Sequence, residues 1–278
     1  LTCRSGSVSR ETKLSTRGVA VRIAVLLKEV PDTYSDREMN LETGLTDRSG
    51  DVVADEVGER AVEAALRIAE AAGGDTQVEI LSVGPASAAD SVRRGIAMGA
   101  QEATLVSDDA LIGADVTLTA EVLAELIRRG SYDLVVAGAM SSDGGAGLVA
   151  PLIGEHLDWP ALTNLTEVAV DGQAVRATQA SDGATVELTA ELPAIVAVAD
   201  EFADPRYPNF KGLMAAKKKE LTTLTLADLD IDANDFSTPR AIMVAIERRP
   251  ERERGEIIDA NPNAAAQLVD FLDAKNLI

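Results

Sequence analysis

A glycine-rich segment of the sequence has the residue types that bind a phosphate group. The stretch GAMSSDGGAGLVAP covers residues 138–151 and follows the apolar run YDLVVAG at 132–138. Gly144, Gly145 and Gly147 allow backbone amides to approach an anion, and the dipole of the helix expected after them favours phosphate there. The glycines are not followed by Lys-Ser or Lys-Thr and do not form GxGxxG, so this is neither a Walker loop nor a dinucleotide fingerprint. On its own, the segment fits a phosphate site and a plain strand-to-helix loop equally well.

Two other predicted strands end where this loop is expected to lie. The first strand, VRIAVLL, reaches Leu26–Lys28, and the second, QVEILSV, runs at once into the turn at Val83–Gly84. Ligands of open parallel sheets bind at the carboxyl ends of the strands, where these segments would meet. Because three strand ends converge there, the sequence favours a nucleotide-binding site over a plain loop.

Composition and charge exclude several kinds of site. The chain has 278 residues and a net charge of −20, which argues against general binding to nucleic acid or to anionic membranes. No apolar run approaches the roughly 18 residues typical of a membrane span. Cys3 is the only cysteine and His156 the only histidine, so neither an internal disulfide nor a multi-histidine metal centre fits. We therefore assign no metal site and no catalytic group, and interpret His156 as a helix-face residue without a role.

The positions of the apolar runs predict the fold class. Strand-like runs alternate with helical patterns up to Pro160, which is typical of an α/β protein with a doubly wound, mostly parallel sheet and helices on both faces. Beyond Pro160, four strand-like runs with Asp-Gly turns at 171–172 and 182–183 predict an added β-rich section. The predicted strands of the first part are 21–27, 77–83, 102–106 and 132–138, and its helices are 56–74, 84–100, 116–129 and the segment after the glycine loop.

Three parts of the chain are expected. Residues 1–20 are rich in Ser, Thr and Arg, the composition of a transit peptide, but we interpret them as a disordered extension. Residues 21–220 would form the α/β nucleotide-binding domain, and residues 221–278 an extended C-terminal arm. The arm shows no long periodic pattern before a short amphipathic helix within 263–278.

One basic and apolar segment differs from the rest of this acidic chain. PRYPNFKGLMAAKKK, residues 205–219, contains five cations and no acid. Two prolines and a glycine interrupt it, which predicts a loop. Large apolar side chains on such a loop are costly unless a partner covers them. The large apolar residues of the segment are Tyr207, Phe210, Leu213 and Met214.

Six segments in order resemble the β subunit of electron-transfer flavoprotein, and the resemblance runs from about residue 21 to the end. The most specific of them is PRYPNFKGLMAAKKK. Chance agreement of a general α/β fold would not supply all six in sequence. The other five are KEVPDT (28–33), AVEAALRI (61–68), GPASAADSVRRGIAMGA (84–100), the glycine loop with LDWP (157–160), and LPAIVAV (192–198).

The resemblance implies an electron carrier rather than an enzyme. It implies an adenine-nucleotide α-hydrolase-like fold and a heterodimer with an α subunit, in which FAD is held mainly by α and covered on one side by β. It also implies a buried AMP in β, electron donors such as the acyl-CoA dehydrogenases of fatty acid β-oxidation, and a membrane quinone reductase as acceptor. The family's AMP contacts fall on Leu26, Asp55, Glu56, Val57, Gly58, Val83, Gly138, Ala139, Met140, Ser141, Ser142, Asp143, Gly144, Gly145, Ala146, Gly147, Leu148 and Val149.

Four positions depart from the family pattern. Gly147 and Val149 stand where many relatives have Asn and Thr, so phosphate contacts there would come from backbone amides. Thr33 and Val57 stand where some relatives place aromatic residues against the flavin. The flavin contact from this chain is therefore less defined than the AMP site.

Residues 205–219 correspond to the family's recognition loop, which docks in partner dehydrogenases. Phe210 lies where relatives carry the apolar anchor, and Leu213, Arg206 and Lys211 are the other expected docking residues. The alternative is that Phe210 and Leu213 cover the core of this chain itself.

Two other functions stay open at this point. Val30–Pro31–Asp32–Thr33 and Pro151 resemble the electron-bifurcating branch of the family, in which a second FAD, reduced by NADH, replaces AMP. A stand-alone nucleotide-binding module of the stress-protein type would explain the α/β part, but neither residues 205–219 nor the arm. We expect a cytoplasmic location, or the mitochondrial matrix if residues 1–20 are a transit peptide.

Overall fold

A nine-stranded sheet forms the centre of the α/β domain. The computed structural model describes residues 21–35, 37–73, 76–252, 254–255 and 257–278, so the extension expected at 1–20 lies outside the described residues. The strands are β1 (Arg22–Leu26), β2 (Glu29–Pro31), β3 (Val52–Ala54), β4 (Gln77–Val83), β5 (Glu102–Val106), β6 (Leu134–Gly138), β7 (Ala161–Asp171), β8 (Ala174–Ser181), β9 (Ala184–Glu191), β10 (Ala194–Val198) and β11 (Thr222–Leu224). The helices are α1 (Glu56–Ala72), α2 (Ala89–Met98), α3 (Val116–Gly130), α4 (Val149–Leu157), α5 (Phe210–Lys218) and α6 (Ala264–Ala274).

The sheet is parallel over most of its width. Its strand order is β11-β5-β4-β1-β6-β10-β7-β8-β9. Every pairing from β11 to β7 is parallel, whereas β8 and β9 pair antiparallel at the far edge. β2 and β3 form a separate antiparallel pair. This order confirms the predicted α/β fold with a mostly parallel sheet and an added β-rich section.

The central parallel strands are buried on both faces, which explains why they are continuous apolar runs. Successive side chains of a strand alternate between the faces. Ile23 and Val25 of β1 join the core packed by α1 and α2, whereas Ala24 joins the core packed by α3 and α4. None of the helices among the described residues has the length and hydropathy of a membrane span.

The chain reverses its direction across the sheet between β1 and β6. From β1 it moves outward through β4 to β5, and it then returns to β6 on the opposite side of β1. Such a switch point creates a crevice at the carboxyl ends of the two strands, because the connections leave it in opposite directions. The loop after β6 and the residues after β1 therefore meet at one edge.

The two tight turns of the β-rich section contain the glycines at 172 and 183, although the first turn is shifted by one residue from the predicted Asp-Gly pair. Gly172-Gln173 links β7, which ends at Asp171, to β8, and Asp182-Gly183 links β8 to β9. Gly172 and Gly183 have φ of +64° and +75°. Glycine adopts such angles without the steric cost that other residues meet, as tight hairpins require.

The boundary expected at residue 221 lies inside the sheet-bearing part of the chain. β11 pairs with β5, and Leu226 and Leu229 just after it are buried in the core of α3 and α4. These contacts join residues far apart in sequence, so local periodicity does not reveal them. The division into compact units falls instead between Val244 and Ala245. In the second unit, α6 confirms the short helix predicted near the end of the chain.

The segment predicted as a loop at 205–219 is a helix for nine residues. Asn209 is the N-cap of α5, and its side-chain oxygen accepts a hydrogen bond from the amide of Gly212 at 2.8 Å. Asn is among the residues that favour this position, because its side chain satisfies an amide that the first helical turn leaves free. Pro205 and Pro208 precede the cap and lie outside the helix, so Gly212 alone of the three breaking residues lies within it.

Candidate functional site

Gly138, the last residue of β6, allows the strand to approach the first turn of α1. A Cβ at this position would lie 3.1 Å from the carbonyl carbon of Val57 and 3.3 Å from the amide nitrogen of Gly58. Any larger residue would push the strand end and the helix apart. Glycine at Gly138 therefore sets the width of the crevice at the switch point.

The loop that follows β6 turns through two glycines before α4 begins. Gly145 and Gly147 have φ of +63° and +64°, and the amide of Gly145 donates to the carbonyl oxygen of Ser141 at 3.0 Å. Leu148, the N-cap of α4, provides no side-chain hydrogen bond to the amides of the first turn. A helix N-terminus without a side-chain cap, reached through a glycine loop, favours binding of an anion.

Asp55 connects the start of α1 to this loop. One of its carboxylate oxygens accepts from the amide of Gly58 at 3.1 Å, and the other accepts from the amide of Ser142 at 2.8 Å. Its own amide donates to the carbonyl oxygen of Lys28 at 2.9 Å. Asp55 is buried, and both of its carboxylate oxygens accept hydrogen bonds from backbone amides. It therefore holds the loop against the start of α1.

Three cations contact two consecutive residues of the loop. Lys28 Nζ lies 2.7 Å from one oxygen of Asp143, and Arg48 Nη2 lies 3.1 Å from the other. Arg37 donates to the carbonyl oxygen of Ser142. Arg37 and Arg48 come from the connection between β2 and β3, which thus lies against the loop. No sequence signal marks these two arginines, because they belong to a polar stretch without periodicity or motif.

The carboxyl group of Asp143 is held in its ionised form. Burial alone would raise its pKa, but hydrogen bonds from Lys28 and Ser141 and the charge of Lys28 outweigh that effect and lower the pKa. The amide of Gly144 also donates to this carboxylate at 2.6 Å. Lys28 and Arg48 place two positive charges on the one carboxylate of Asp143, and Arg37 adds a third cation at the neighbouring Ser142.

Two buried hydroxyls at this edge fit a bound ligand. Ser142 Oγ in the loop and Ser82 Oγ near the end of β4 are buried and have no hydrogen-bond partner among the described residues. Buried polar groups nearly always have partners. A nucleotide at the switch point would offer phosphate and sugar oxygens to such hydroxyls.

The structure brings the predicted nucleotide contacts together along one edge. Leu26 and Val83 end neighbouring parallel strands, and both are partly buried. Val57 packs against Gly138, whereas Glu56 is exposed in the first turn of α1. Met140 and Leu148 of the loop are half exposed. Apolar side chains of this kind suit the contact of a nucleotide base or sugar.

Open surface pockets also lie elsewhere among the residues that the structure describes. One, of about 330 Å³, is lined by Arg22, Glu79 and Tyr132, and another, of about 510 Å³, by residues of α3 and His156 of α4. In the first, Glu79 accepts hydrogen bonds from Arg22, Thr104 and Tyr132. Burial, together with this contact to Glu79, raises the pKa of Tyr132 well above its ordinary value. Because the carboxylate is satisfied by the protein itself, the cluster is a structural network.

The segment 205–219 exposes its large side chains. Phe210 is 80% exposed and Tyr207 is 90% exposed, while Leu213 and Met214 are 41% exposed each. The alternative in which Phe210 covers the core of this chain is therefore excluded. Lys211 is exposed beside them. Tyr207 was not among the expected docking residues, although its position before Pro208 and the N-cap Asn209 puts it at the start of the same surface.

Arg206 differs from the other expected docking residues. Its guanidinium group forms ion pairs with Glu63 at 2.7 Å and with Glu70 at 2.5 Å, both on α1. The hydrogen bonds to Glu70 and, to a smaller extent, to Glu63 raise the pKa of Arg206 above its ordinary value. The charge of Arg206 is thus already balanced within the chain.

The fold and this edge define a class of protein. An open, mostly parallel sheet with a glycine loop and a helix N-terminus at its switch point is the arrangement of nucleotide-binding α/β proteins. Comparison with known proteins is more specific. The sequence model of the electron transfer flavoprotein domain matches residues 43–229.

Curated relatives named electron transfer flavoprotein subunit beta match nearly the whole chain. The protein of Mycobacterium leprae is 38% identical over 264 residues, covering 92% of this chain and 99% of the relative. That of Mycobacterium tuberculosis H37Rv is 37% identical over 263 residues, with the same coverage. That of Bacillus subtilis is 31% identical over 255 residues, covering 91% of this chain and 97% of the relative. The chain belongs to the electron transfer flavoprotein family, as a β-type subunit.

Proposed function

We propose that this chain pairs with an α subunit and carries electrons from flavin dehydrogenases, such as acyl-CoA dehydrogenases, to a membrane quinone reductase. Membership of the family supports the electron-transfer role and the association with flavin. The β-subunit names of the relatives support the α partner. The observation that carries the proposal in this chain is the glycine loop at the switch point, because its free helix N-terminus would suit the phosphate of a nucleotide.

AMP is the nucleotide that we propose for this edge. Amides of the 139–148 loop and of the start of α4 would hold its phosphate, with Lys28 and Arg48 supplying positive charge. The hydroxyl of Ser142 would gain the hydrogen-bond partner that the described residues do not provide. AMP has no redox chemistry, so its contribution would be to hold the strand ends and the loop together.

FAD supplies the electron uptake and release when it is bound, and most of its surroundings would belong to α. The part of the FAD surroundings that this chain would contribute is the edge formed by α1 and the residues after β2. Thr33 is exposed there, and the neighbouring Tyr34 is 96% exposed. Tyr34 is thus the aromatic side chain that the β2–β3 connection offers near the position where some relatives have one.

Docking of donor dehydrogenases would use the exposed face of α5. Phe210 and Tyr207 would enter an apolar site on the partner, and Lys211 would steer the encounter through its charge. Leu213 would extend the apolar surface by one helical turn. Burial of these side chains by a partner offsets the cost of exposing them to water.

The C-terminal unit would pack on the α subunit. Leu268 and Phe271 of α6 are 49% and 39% exposed, and they lie three residues apart on one helical face. A helix with an uncovered apolar face gains stability when a partner buries it. We also propose a cytoplasmic location, supported by the bacterial origin of the relatives.

Electron transfer in the heterodimer tests this function. The chain is co-expressed with its α subunit, and the purified heterodimer is mixed with an acyl-CoA dehydrogenase and its substrate. Reduction of the flavin, seen by its absorbance, is expected, and a quinone reductase should reoxidise it. A heterodimer that dithionite reduces but no flavin dehydrogenase does would refute the proposed donors. Direct reduction by NADH would favour the bifurcating alternative, and a chain that stays monomeric beside α would favour the stand-alone module.

A further inference from the structure

The N-terminal part of the docking segment is fastened to α1 by Arg206. Its Nε lies 2.7 Å from Glu63 Oε2 and its Nη1 lies 2.5 Å from Glu70 Oε1. The backbone amide of Arg206 also donates to Glu63 at 3.1 Å. Glu63 and Glu70 are two helical turns apart and so lie on one side of α1. Arg206 therefore contacts α1 at two positions that are two turns apart.

The ionic contact on Glu63 is well protected from water. The side chain of Glu63 is 4% exposed and also pairs with Arg67 at 2.6 Å. Burial alone would raise the pKa of Glu63, but the hydrogen bonds from Arg206 and Arg67 outweigh it and lower the pKa. Breaking the contact would leave a buried carboxylate with one cation fewer, which is costly.

A second arginine holds the other end of the segment. Arg93 of α2 donates to the carbonyl oxygen of Ala216 at 2.8 Å and to that of Lys219 at 2.7 Å. These carbonyls belong to the last turn of α5 and to the residue after it, where a helix has no partners of its own to offer. Upstream of the helix, Arg60 of α1 donates to the carbonyl oxygen of Phe202 and pairs with Asp204 at 3.0 Å.

Between these contacts, α5 lies directly on α2. A Cβ added to Gly212 would lie 2.5 Å from the carbonyl oxygen of Ala97, closer than real side chains come. Since the obstacle is a backbone atom, it cannot move aside as a flexible side chain would. Glycine at Gly212 lets α5 rest on α2, with Ala216 buried beneath it and Phe210 exposed above.

We propose that Arg206, Arg93 and Gly212 are positioning residues that hold α5 as a preformed docking surface, rather than residues that contact the partner. A nine-residue helix is not stable alone in water, because nucleation costs more than so few hydrogen bonds return. Without the arginines, the segment would have to become ordered on each encounter, and ordering lowers affinity. The inference rests on the docking function proposed above for the same segment.

The test compares variants in the flavin-loaded heterodimer. Arg206→Met keeps the apolar stem of the side chain but removes its charge and donors, and Gly212→Ala separates α5 from α2 by a different route. Lys217→Met is the matched control, because it removes an exposed cation from the same helix. Steady-state reduction by an acyl-CoA dehydrogenase is measured against heterodimer concentration, together with hydrogen exchange of the α5 amides.

Both positioning variants should raise the half-saturating concentration about tenfold, with the maximal rate unchanged, because only the ordering cost of association has grown. Exchange in α5 should become faster, while exchange in α3 and the flavin content stay as in the parent. Arg206→Lys should recover part of the loss, and the control should change mainly the salt dependence. Unchanged exchange and half-saturation in Arg206→Met and Gly212→Ala, while Phe210→Ala raises the half-saturating concentration, would overturn the positioning role alone. If Phe210→Ala also has no effect, the docking function itself is wrong, and the inference falls with it.

Discussion

The carboxylate of Asp55 accepts a hydrogen bond from the backbone amide of Ser142 at 2.8 Å, although 87 residues separate them in the sequence. The same carboxylate caps α1 through the amide of Gly58. One buried side chain therefore fixes both the start of a helix and the course of the glycine loop. This relationship ties the proposed nucleotide site to the stability of the fold.

Asp55→Ala should lower the free energy of unfolding by about 1–3 kcal/mol, because it removes a helix cap and leaves the amide of Ser142 without its acceptor. It should also reduce the nucleotide retained on purification. Asp115→Ala is the control, since Asp115 caps α3 through the amide of Leu118, and its hydrogen bonds among the described residues go to α3 and to Ala241 rather than to the loop. Chemical denaturation and nucleotide content are measured for both. Full nucleotide retention in Asp55→Ala would show that the loop does not depend on this bond.

The ion pairs of Asp143 should make stability depend on pH. Because its pKa is lower in the folded protein than in the unfolded chain, ionised Asp143 stabilises the fold above the ordinary pKa of about 3.9. That contribution is lost as the pH falls through the folded pKa. Asp143→Asn should therefore be less stable than the parent at pH 7, and the difference should shrink below about pH 4. Denaturation curves across this range give the answer, and a difference that stays constant with pH would contradict the assignment.

Phe210→Ala should weaken docking to donor dehydrogenases. Burying a side chain of this size is worth roughly 1.5–3 kcal/mol, so the half-saturating concentration should rise about ten- to a hundredfold. Phe236→Ala is the matched control, because Phe236 is 69% exposed but lies outside the docking segment. Flavin content and reduction by dithionite should be normal in both variants. If both substitutions changed the half-saturating concentration equally, Phe210 would not be the docking anchor.

Deleting residues 264–278 should weaken the heterodimer by at least about tenfold, since it removes the apolar face of α6. The part of the chain up to Val244 should keep its fold, because the compact units divide there. Asp270→Ser, a polar change in the same helix, should have little effect. Sedimentation or titration with the α subunit measures the change, and an unaltered dissociation constant would rule out packing of α6 on α.

Much of the fold could be predicted from the sequence because its signals are local. The apolar run around Ile23 and Val25 marks a strand buried on both faces, and the Asp-Gly pairs ending at Gly172 and Gly183 mark hairpins. The small strand β11 could not be predicted, because three residues carry no periodicity and only its pairing with β5 defines it.

The site was predictable to a similar extent. The composition of the glycine loop was enough to predict it. Arg37 and Arg48 could not be predicted, because they contact loop residues that lie 105 and 95 positions later in the sequence. Arg206 is a docking residue in the sequence-based prediction, and its ion pairs could not be predicted because Glu63 and Glu70 lie in a helix more than 130 residues earlier. The prolines and the glycine of this segment indicate a loop, so α5 was not predicted. Its helical state depends on the Asn209 cap and on contacts with α1 and α2.

Nucleotide analysis of the heterodimer tests the central claim most directly. The co-expressed heterodimer is purified, denatured and filtered, and the released nucleotides are identified and counted by chromatography and mass spectrometry. A nucleotide site at the switch point of this chain predicts one AMP and one FAD for each heterodimer, with AMP lost in Gly138→Val while the heterodimer still forms. Release of FAD alone, one for each heterodimer, would contradict the claim, and release of two FAD without AMP would replace AMP by a second flavin at this edge.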